Sequence, residues 1–387
     1  MKILLVHNAY KNRGGEDSVV DAEQQLLSSH GSSVQTCFAS NDAIDGMSRP
    51  QLIRATFWNP GNKALLQERA KAFRPDLIHV HNTFPLISPS IYWAADHLGI
   101  PVVQTIHNFR LHCPQAMFLR GGEVCEDCKG NLPWRGVVRK CYRNSYAQSA
   151  VLAGMVSVHR AMGTYDKKVT RYIALNHFCR DKLIEGGLPA ERIVIKPNFI
   201  DAGPADLEGA RSGGLFVGRL SAEKGIAVLA GAAEQCAARV SVIGGGELAG
   251  IAEKAFGERY LGFRDLPFIL EAMRNAVYLV VPSICYESFP RTIVEAFASG
   301  LPVIASRLGA LAEIVEEGRT GLLFEPGNAA DLAQKLAWAE ANPDEMARMG
   351  RNARAEYEAK YTAATNYQQL MAIYAEAIEA KAKEIRK

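Results

Sequence analysis

The chain is 387 residues long, which at about 150 residues per domain implies two or three domains. Hydrophobic residues make up 48% and charged residues 22%, a balance that excludes a disordered chain. The net charge of +3 conceals an asymmetry: residues 1–200 carry 24 Lys+Arg against 16 Asp+Glu, and residues 201–387 carry 20 against 25. No aromatic-studded basic tract or reader motif accompanies the positive half, so nucleic acid is not an expected partner. No apolar run reaches the roughly 18 residues of a membrane span. Residues 1–7 are too short for a signal-peptide core and read as a first strand. The expected location is the cytoplasm, where the eight cysteines serve as thiols or metal ligands rather than as a disulfide framework.

In chain order, short apolar runs fall at 3–6, 77–80, 102–106, 155–158, 172–175 and 193–195, and again at 215–217, 240–243, 260–261, 277–281, 303–305 and 322–324. They lack in/out alternation, as strands buried on both faces do. Longer amphipathic stretches lie between them, near 16–29, 61–73, 89–98, 222–235, 266–275, 290–299, 309–316 and 329–340. This alternation predicts an α/β chain with two doubly wound, Rossmann-like domains, whose ligands bind beyond the carboxyl ends of parallel strands. Two such domains facing each other would form a cleft. The boundary is expected between 197 and 214, a stretch holding Gly203, Pro204, Gly209 and Gly213. The final stretch, 343–387, reads as helix rich in Ala, Glu and Lys.

The densest chemical signal is Pro282-Ser283-Ile284-Cys285-Tyr286-Glu287-Ser288-Phe289-Pro290-Arg291-Thr292-Ile293-Val294-Glu295. A strand ends at Pro282, and Pro290 suits the first turn of a helix. Glu287 then precedes that helix and Glu295 lies in its second turn, while free N–H groups at its start favour a phosphate. Taken alone, the two glutamates read as a helix-start charge and a solvated face. A second signal, Gly218-Arg219-Leu220-Ser221-Ala222-Glu223-Lys224-Gly225, offers the planar fork of Arg219 and the point charge of Lys224 to a diphosphate. Gly244-Gly245-Gly246-Glu247 is a further loop open to close approach. The dinucleotide fingerprint is absent after strand one, where the chain reads His7-Asn8-Ala9-Tyr10-Lys11-Asn12-Arg13-Gly14-Gly15, so a nicotinamide dehydrogenase is disfavoured.

Together with Leu261-Gly262-Phe263, Gly300-Leu301-Pro302-Val303 and Glu317-Gly318-Arg319-Thr320-Gly321, these motifs resemble the second domain of the family 4 retaining glycosyltransferases, over about 195–340. Gly14-Gly15, Asp76-Leu77-Ile78-His79-Val80-His81 and Thr105-Ile106-His107-Asn108 resemble the first domain more loosely. The resemblance implies the GT-B architecture. Residues 1–198 would bind the acceptor, with an insertion at about 110–145, and 199–365 would bind a nucleotide sugar. The helix at 366–387 would cross back to the first domain. By the same resemblance Arg219 and Lys224 neutralise the donor diphosphate and Glu287 contacts sugar hydroxyls. Ser288, Phe289 and Pro290 approach sugar and phosphates through their backbone, and Glu295 binds the ribose. Phe263 and Arg264 lie near the base, and Gly15 and Gly218 admit the phosphates. His107 contacts the donor sugar or polarises the reacting centre. No catalytic metal is expected, because cations and a helix N-terminus stabilise the charge that develops on the leaving diphosphate. The implied reaction is hexosyl transfer from a nucleotide sugar to a glycan acceptor, a lipid-linked oligosaccharide, polysaccharide or lipopolysaccharide, with retention of configuration. The alternatives are a catalytically inactive nucleotide-sugar-binding partner subunit or a nucleotide-sugar epimerase on the same fold.

The insertion departs from the family's minimal pattern and resembles a cysteine-bearing subset. Cys125 and Cys128 have metal-knuckle spacing, and with Cys113 and Cys141 they place four thiolates within 29 residues, the donor set of a structural zinc. From 130 to 165 there is no Asp or Glu, but Arg135, Arg139, Lys140, Arg143 and Arg160 are interleaved with Trp134, Val137, Val138 and Tyr142. A basic surface with an apolar edge over 134–171 suits peripheral contact with the anionic cytoplasmic face of a membrane.

Overall fold

The computed structural model describes residues 1–202 and 211–386, so Gly203, Pro204 and Gly209 of the predicted boundary lie outside the described residues. Two compact units divide the chain. One holds residues 1–116, 126–198 and the chain from Asn366 on; the other holds 117–125 and 199–365.

In the first unit β1 (Lys2–Ala9), β2 (Ser33–Ser40), β3 (Leu77–Asn82) and β4 (Val102–Thr105) alternate with α1 (Gly15–Ser29), α2 (Arg49–Phe57), α3 (Pro60–Phe73) and α4 (Ser90–His97). A small hairpin of β5 (Leu119–Arg120) and β6 (Glu123–Val124) falls in the second unit. The first unit resumes with α5 (Trp134–Val138), α6 (Tyr146–Ala161), α7 (Thr164–Lys167), β7 (Arg171–Ala174), α8 (His177–Glu185) and β8 (Ile193–Ile195). Its six strands are all parallel, in the order β2-β1-β3-β4-β7-β8.

The second unit runs through β9 (Gly214–Val217), α9 (Ile226–Ala233), β10 (Val240–Ile243), α10 (Ala249–Phe256) and α11 (Leu266–Asn275). It continues with β11 (Tyr278–Val281), α12 (Arg291–Ala298), β12 (Val303–Ser306), α13 (Ala310–Ile314), β13 (Gly321–Phe324), α14 (Ala329–Ala341) and α15 (Pro343–Lys360). Its five parallel strands are ordered β10-β9-β11-β12-β13. Both sheets therefore reverse direction between the first strand and the third, which is where doubly wound sheets bind ligands. The last helix, α16 (Ala363–Ile385), belongs to the first unit from Asn366 on. Its Leu370, Ile373, Tyr374 and Ala377 pack with Ile3, Leu5, Leu77, Val103 and Ile173 into one core. No helix among the described residues is long and apolar enough to cross a membrane.

Two runs read as strands behave otherwise. Residues 155–158 lie inside α6, where Leu152, Met155, Val156 and His159 are buried. That spacing is helical, and four apolar residues in a row do not distinguish the two periods. Residues 260–261 make one parallel bridge, Tyr260 to Val242, and no strand. Strand β2, whose exposure is mixed and mostly polar, escapes an apolar-run search because it forms the sheet's edge.

The first unit's interior is also unusually polar. Burial holds His7, His79, His81, His107, His112 and His159 below the ordinary histidine range, His107 and His112 down to about 3. Each stays neutral when folded at a pH where the unfolded chain takes up a proton. Stability is therefore fully present above about pH 6.5 and is lost as pH falls below it. Glu16 works in the opposite sense, since burial pushes its carboxyl up to about 8, but it is one group against six. Thermal melts should show a falling Tm between pH 6.5 and pH 5, and a flat or rising Tm on acidification would contradict this account.

Candidate functional site

In the second unit three loops gather at the carboxyl ends of β9, β10 and β11. The loop after β9 closes with a tight turn at Ala222–Lys224 and with Gly225 in the left-handed region at φ 72°. A Cβ at Gly225 would sit 1.8 Å from the Pro282 carbonyl oxygen, so only glycine lets the two loops lie this close. The glycines after β10 serve the same end. Gly244 has φ 148°, and a Cβ there would meet the Gly218 carbonyl at 1.8 Å. Backbone bonds Gly218 N–H to Ile243 O (3.1 Å), Leu220 N–H to Gly245 O (2.9 Å) and Leu248 N–H to Leu220 O (2.9 Å) zip the two loops together.

This packing brings Lys224 to Glu287, with Nζ 2.5 Å from Oε1, and the Ser283 hydroxyl donates to the same oxygen at 2.7 Å. Burial pushes the Glu287 carboxyl up, but the Lys224 ammonium outweighs it, with further help from Ser283 and Arg219, and holds the carboxyl below its ordinary range. Burial likewise pulls Lys224 down, and Glu287 more than restores it, so its net shift is upward. Both groups are ionised near neutrality, one cation and one anion presented together. Arg219 is mostly exposed, its side chain at 67%, with Glu223 3.6 Å away. Glu295 is buried, which raises its carboxyl, and Arg291 lies 3.8 Å off and partly offsets this.

Pro290 caps α12 instead of entering its first turn, and no side chain caps the helix. Phe289 stacks edge-on to Tyr361 at 6.1 Å. Phe263 is 81% exposed, and Arg264 lies over the Phe268 ring at 5.3 Å. Ser288 follows Glu287 in the loop before α12, and Gly218 directly follows β9.

The first unit has its own cluster at the carboxyl ends of β1, β3 and β4. Gly15 opens α1, and Asp17 braces that loop. Its carboxylate accepts from the Gly14 N–H (2.8 Å) and the Tyr10 N–H (3.2 Å) and is paired with His7 Nε2 (2.8 Å). His107 lies two residues beyond β4, with Nε2 3.0 Å from His81 Nδ1. His107 lines a pocket with His81, Thr105, Asn108 and Arg110. Cys113 is buried, and Cys125, Cys128 and Cys141 are half-buried.

Several polar residues here carried no role in the sequence reading. Glu16 accepts from the Tyr10 hydroxyl at 2.8 Å, and Arg110 lies 4.4 Å over the Phe84 ring. Glu23 and Lys196 pair at 2.7 Å with no exposed side-chain surface on either. They are 173 residues apart, which no local pattern reveals. The His-x-His of β3 was the one usable signal, since alternate strand residues share a face.

A family profile described as Glycosyltransferase Family 4 matches residues 34–203, and one described as Glycosyl transferases group 1 matches 212–342. An uncharacterised glycosyltransferase of Methanocaldococcus jannaschii is 34% identical over 161 residues, which are 40% of this chain and 45% of that protein. D-inositol 3-phosphate glycosyltransferase 2 of Catenulispora acidiphila is 33% identical over 186 residues, 43% of each chain. The chain thus spans less than half the length of these curated relatives. The solved structure of Anabaena HepE in complex with UDP-glucose superposes with a TM-score of 0.67 at 20% identity, covering 98% of this chain and 100% of that one. With two Rossmann-like units, glycosyltransferase profiles matched on both stretches and the expected order of motifs, the chain belongs to the family 4 glycosyltransferases of GT-B fold.

Proposed function

We propose that the protein is a hexosyltransferase that takes a sugar from a nucleoside diphosphate and passes it to a glycan acceptor with retention of configuration. The observation that carries this reading is the Lys224–Glu287 pair, on the loops after β9 and β11, which meet at the strand-order reversal of the second sheet. Lys224 and the exposed Arg219 supply positive charge where the leaving diphosphate gains negative charge. Glu287, kept ionised by Lys224, accepts hydrogen bonds from sugar hydroxyls, and Glu295 accepts the two ribose hydroxyls. Phe263 and Arg264 flank the base, and the backbone of Ser288, Phe289 and Pro290 lies against sugar and phosphates. Gly15 and Gly218 leave room for those phosphates, and His107 acts on the reacting sugar. This set of residues works without a catalytic metal. Uridine diphosphate sugars are the first donors to test, because HepE of the same fold was solved with UDP-glucose.

The acceptor reading is a lipid-linked or lipopolysaccharide-like glycan met at the cytoplasmic face of a membrane. Its support is the surface of α5 and the start of α6. Leu132, Trp134, Val138 and Tyr146 are each more than half exposed there, with Arg135 over the Trp134 ring and Lys140 over the Tyr146 ring. Aromatic and aliphatic side chains beside cations suit an anionic interface. In the insertion, Cys113, Cys125, Cys128 and Cys141 would hold one zinc. Four thiolates fill all four tetrahedral positions, so the ion would be structural and take no part in the chemistry.

A thermal-shift screen against UDP-, GDP-, ADP- and dTDP-sugars should raise Tm with one donor class. Saturation at 100 times Kd is worth about 2.7 kcal/mol. Lys224→Ala and Glu287→Ala should each lower turnover by about 100-fold or more with an unchanged circular dichroism spectrum. Binding without turnover by the wild type would instead favour an inactive nucleotide-sugar-binding subunit. Elemental analysis of chelator-washed protein should find about one zinc per chain, lost in Cys125→Ser, and a zinc-free wild type would end that proposal.

A further inference from the structure

We propose that Glu23 and His81 are positioning residues, a buried relay that fixes which ring nitrogen of His107 carries its proton. The inference rests on the reading that His107 acts on the reacting sugar. Burial keeps His107 neutral at working pH, so its tautomer, not its charge, decides whether it offers a donor or an acceptor.

The relay starts from the Lys196 ammonium, fully buried, which bonds Glu23 Oε1 at 2.7 Å and Asn366 Oδ1 at 3.2 Å. Lys196 outweighs the burial of Glu23, whose carboxyl ends below its ordinary range, so Glu23 is an acceptor only. Its other oxygen, Oε2, faces His81 Nε2 at 3.5 Å and His79 Nδ1 at 3.7 Å. His79 is already committed: Tyr374 O–H lies 2.7 Å from Nδ1, and Thr105 Oγ1 lies 2.9 Å from Nε2. We assign Nδ1 as the acceptor, because the Tyr374 hydroxyl has no other hydrogen-bond partner among the described residues, and His79 then has no proton for Glu23. Glu23 Oε2 and His81 Nε2 are each buried without a hydrogen-bond partner, and at 3.5 Å they are an electrostatic contact rather than a formed hydrogen bond. The proton of His81 therefore sits on Nε2, toward the carboxylate, because the reverse arrangement faces two acceptors with no hydrogen between them.

His81 Nδ1 is then an acceptor, and the 3.0 Å contact to His107 is donated by His107 Nε2–H. That leaves His107 Nδ1 as a bare acceptor, aimed at a hydroxyl and not at a carbonyl or phosphate oxygen. His7 and Asp17, the remaining titratable pair beside His81, satisfy each other at 2.8 Å and do not compete. Glu23, His79 and His81 also bring donor atoms within 4.8 Å of one another. A metal ion there would displace the tyrosine hydrogen bond and stand beside the Lys196 ammonium, so the relay fits the cluster better.

The test is the tautomer itself, read from imidazole 15N chemical shifts of histidine-labelled full-length protein, with the His107 signals assigned by their loss in His107→Gln. The wild type should show His107 protonated on Nε2 and bare on Nδ1. His81→Leu should shift it toward the other tautomer or an average. His81→Asn, whose amide oxygen can replace the lost acceptor, should retain the wild-type tautomer. In donor-hydrolysis assays His81→Leu should lower kcat about tenfold, the equivalent of one misplaced hydrogen bond, with KM for the donor within about twofold, and His81→Asn should lose less. A wild-type His107 protonated on Nδ1, or a tautomer indifferent to His81→Leu, overturns the relay. If His81→Leu does not fold, the wild-type and His81→Asn spectra still decide. Absence of turnover in the wild type would count against the transferase reading, while the spectra would still judge the relay.

Discussion

The first unit depends on a single ion pair, Lys196 with Glu23, neither of which touches solvent. Lys196 directly follows β8, Glu23 is on α1, and the groups around them come from β3, β4 and α16. Five elements thus share one charge-neutral knot. Such a pair adds little net stability over an apolar equivalent, yet loss of either partner strands a charge at a cost of about 3–5 kcal/mol. The pair ties the end of β8 to α1 and, through Asn366, to α16.

The second unit carries a Lys–Glu pair of a different kind. Lys224 and Glu287 keep 27% and 12% of their side-chain surface exposed, and they sit on loops and not between core elements. A pair open on one side can exchange its water contacts for contacts with a ligand without unfolding anything. The contrast between the sealed pair and the open one separates structural from chemical use of the same two residue types. Rigidity for the open pair comes from backbone: the β9 loop is zipped to the β10 loop, and the Ile284 N–H of the β11 loop donates to the Glu223 carbonyl at 3.0 Å, so the geometry is set before any ligand arrives.

Legibility from sequence followed the same division. The central strands were readable because both faces are buried and their runs are uniformly apolar. Edge strand β2 was not, since its polar alternation resembles a loop. The 155–158 run misled because a helix buried on a broad face also shows consecutive apolar residues. In the second unit the motif residues are close in sequence to the glycines that shape them, so the candidate site could be read locally. The first unit's cluster is assembled from β1, α1, β3, the end of β4, the end of β8 and α16. No spacing rule joins Glu23 to Lys196 or His79 to Tyr374. At Gly244 and Gly246 a second requirement was hidden from the sequence: a Cβ there would meet the Gly218 and Leu220 carbonyls of the neighbouring loop.

The placement of α16 has a consequence for how the molecule is made. Leu370, Ile373, Tyr374 and Ala377 complete the apolar core over β1, β3, β4 and β7, and Asn366 completes the shell of Lys196. A ribosome building the chain from its amino end emits that sheet long before its covering helix. The amino-terminal half must wait, with an apolar face and a charged knot incompletely satisfied, while the whole second unit is synthesised and becomes free to fold. Order of synthesis and order of completion are therefore inverted in this chain. The sheet of the first unit is thus translated before the second unit, and the helix that completes its core after it.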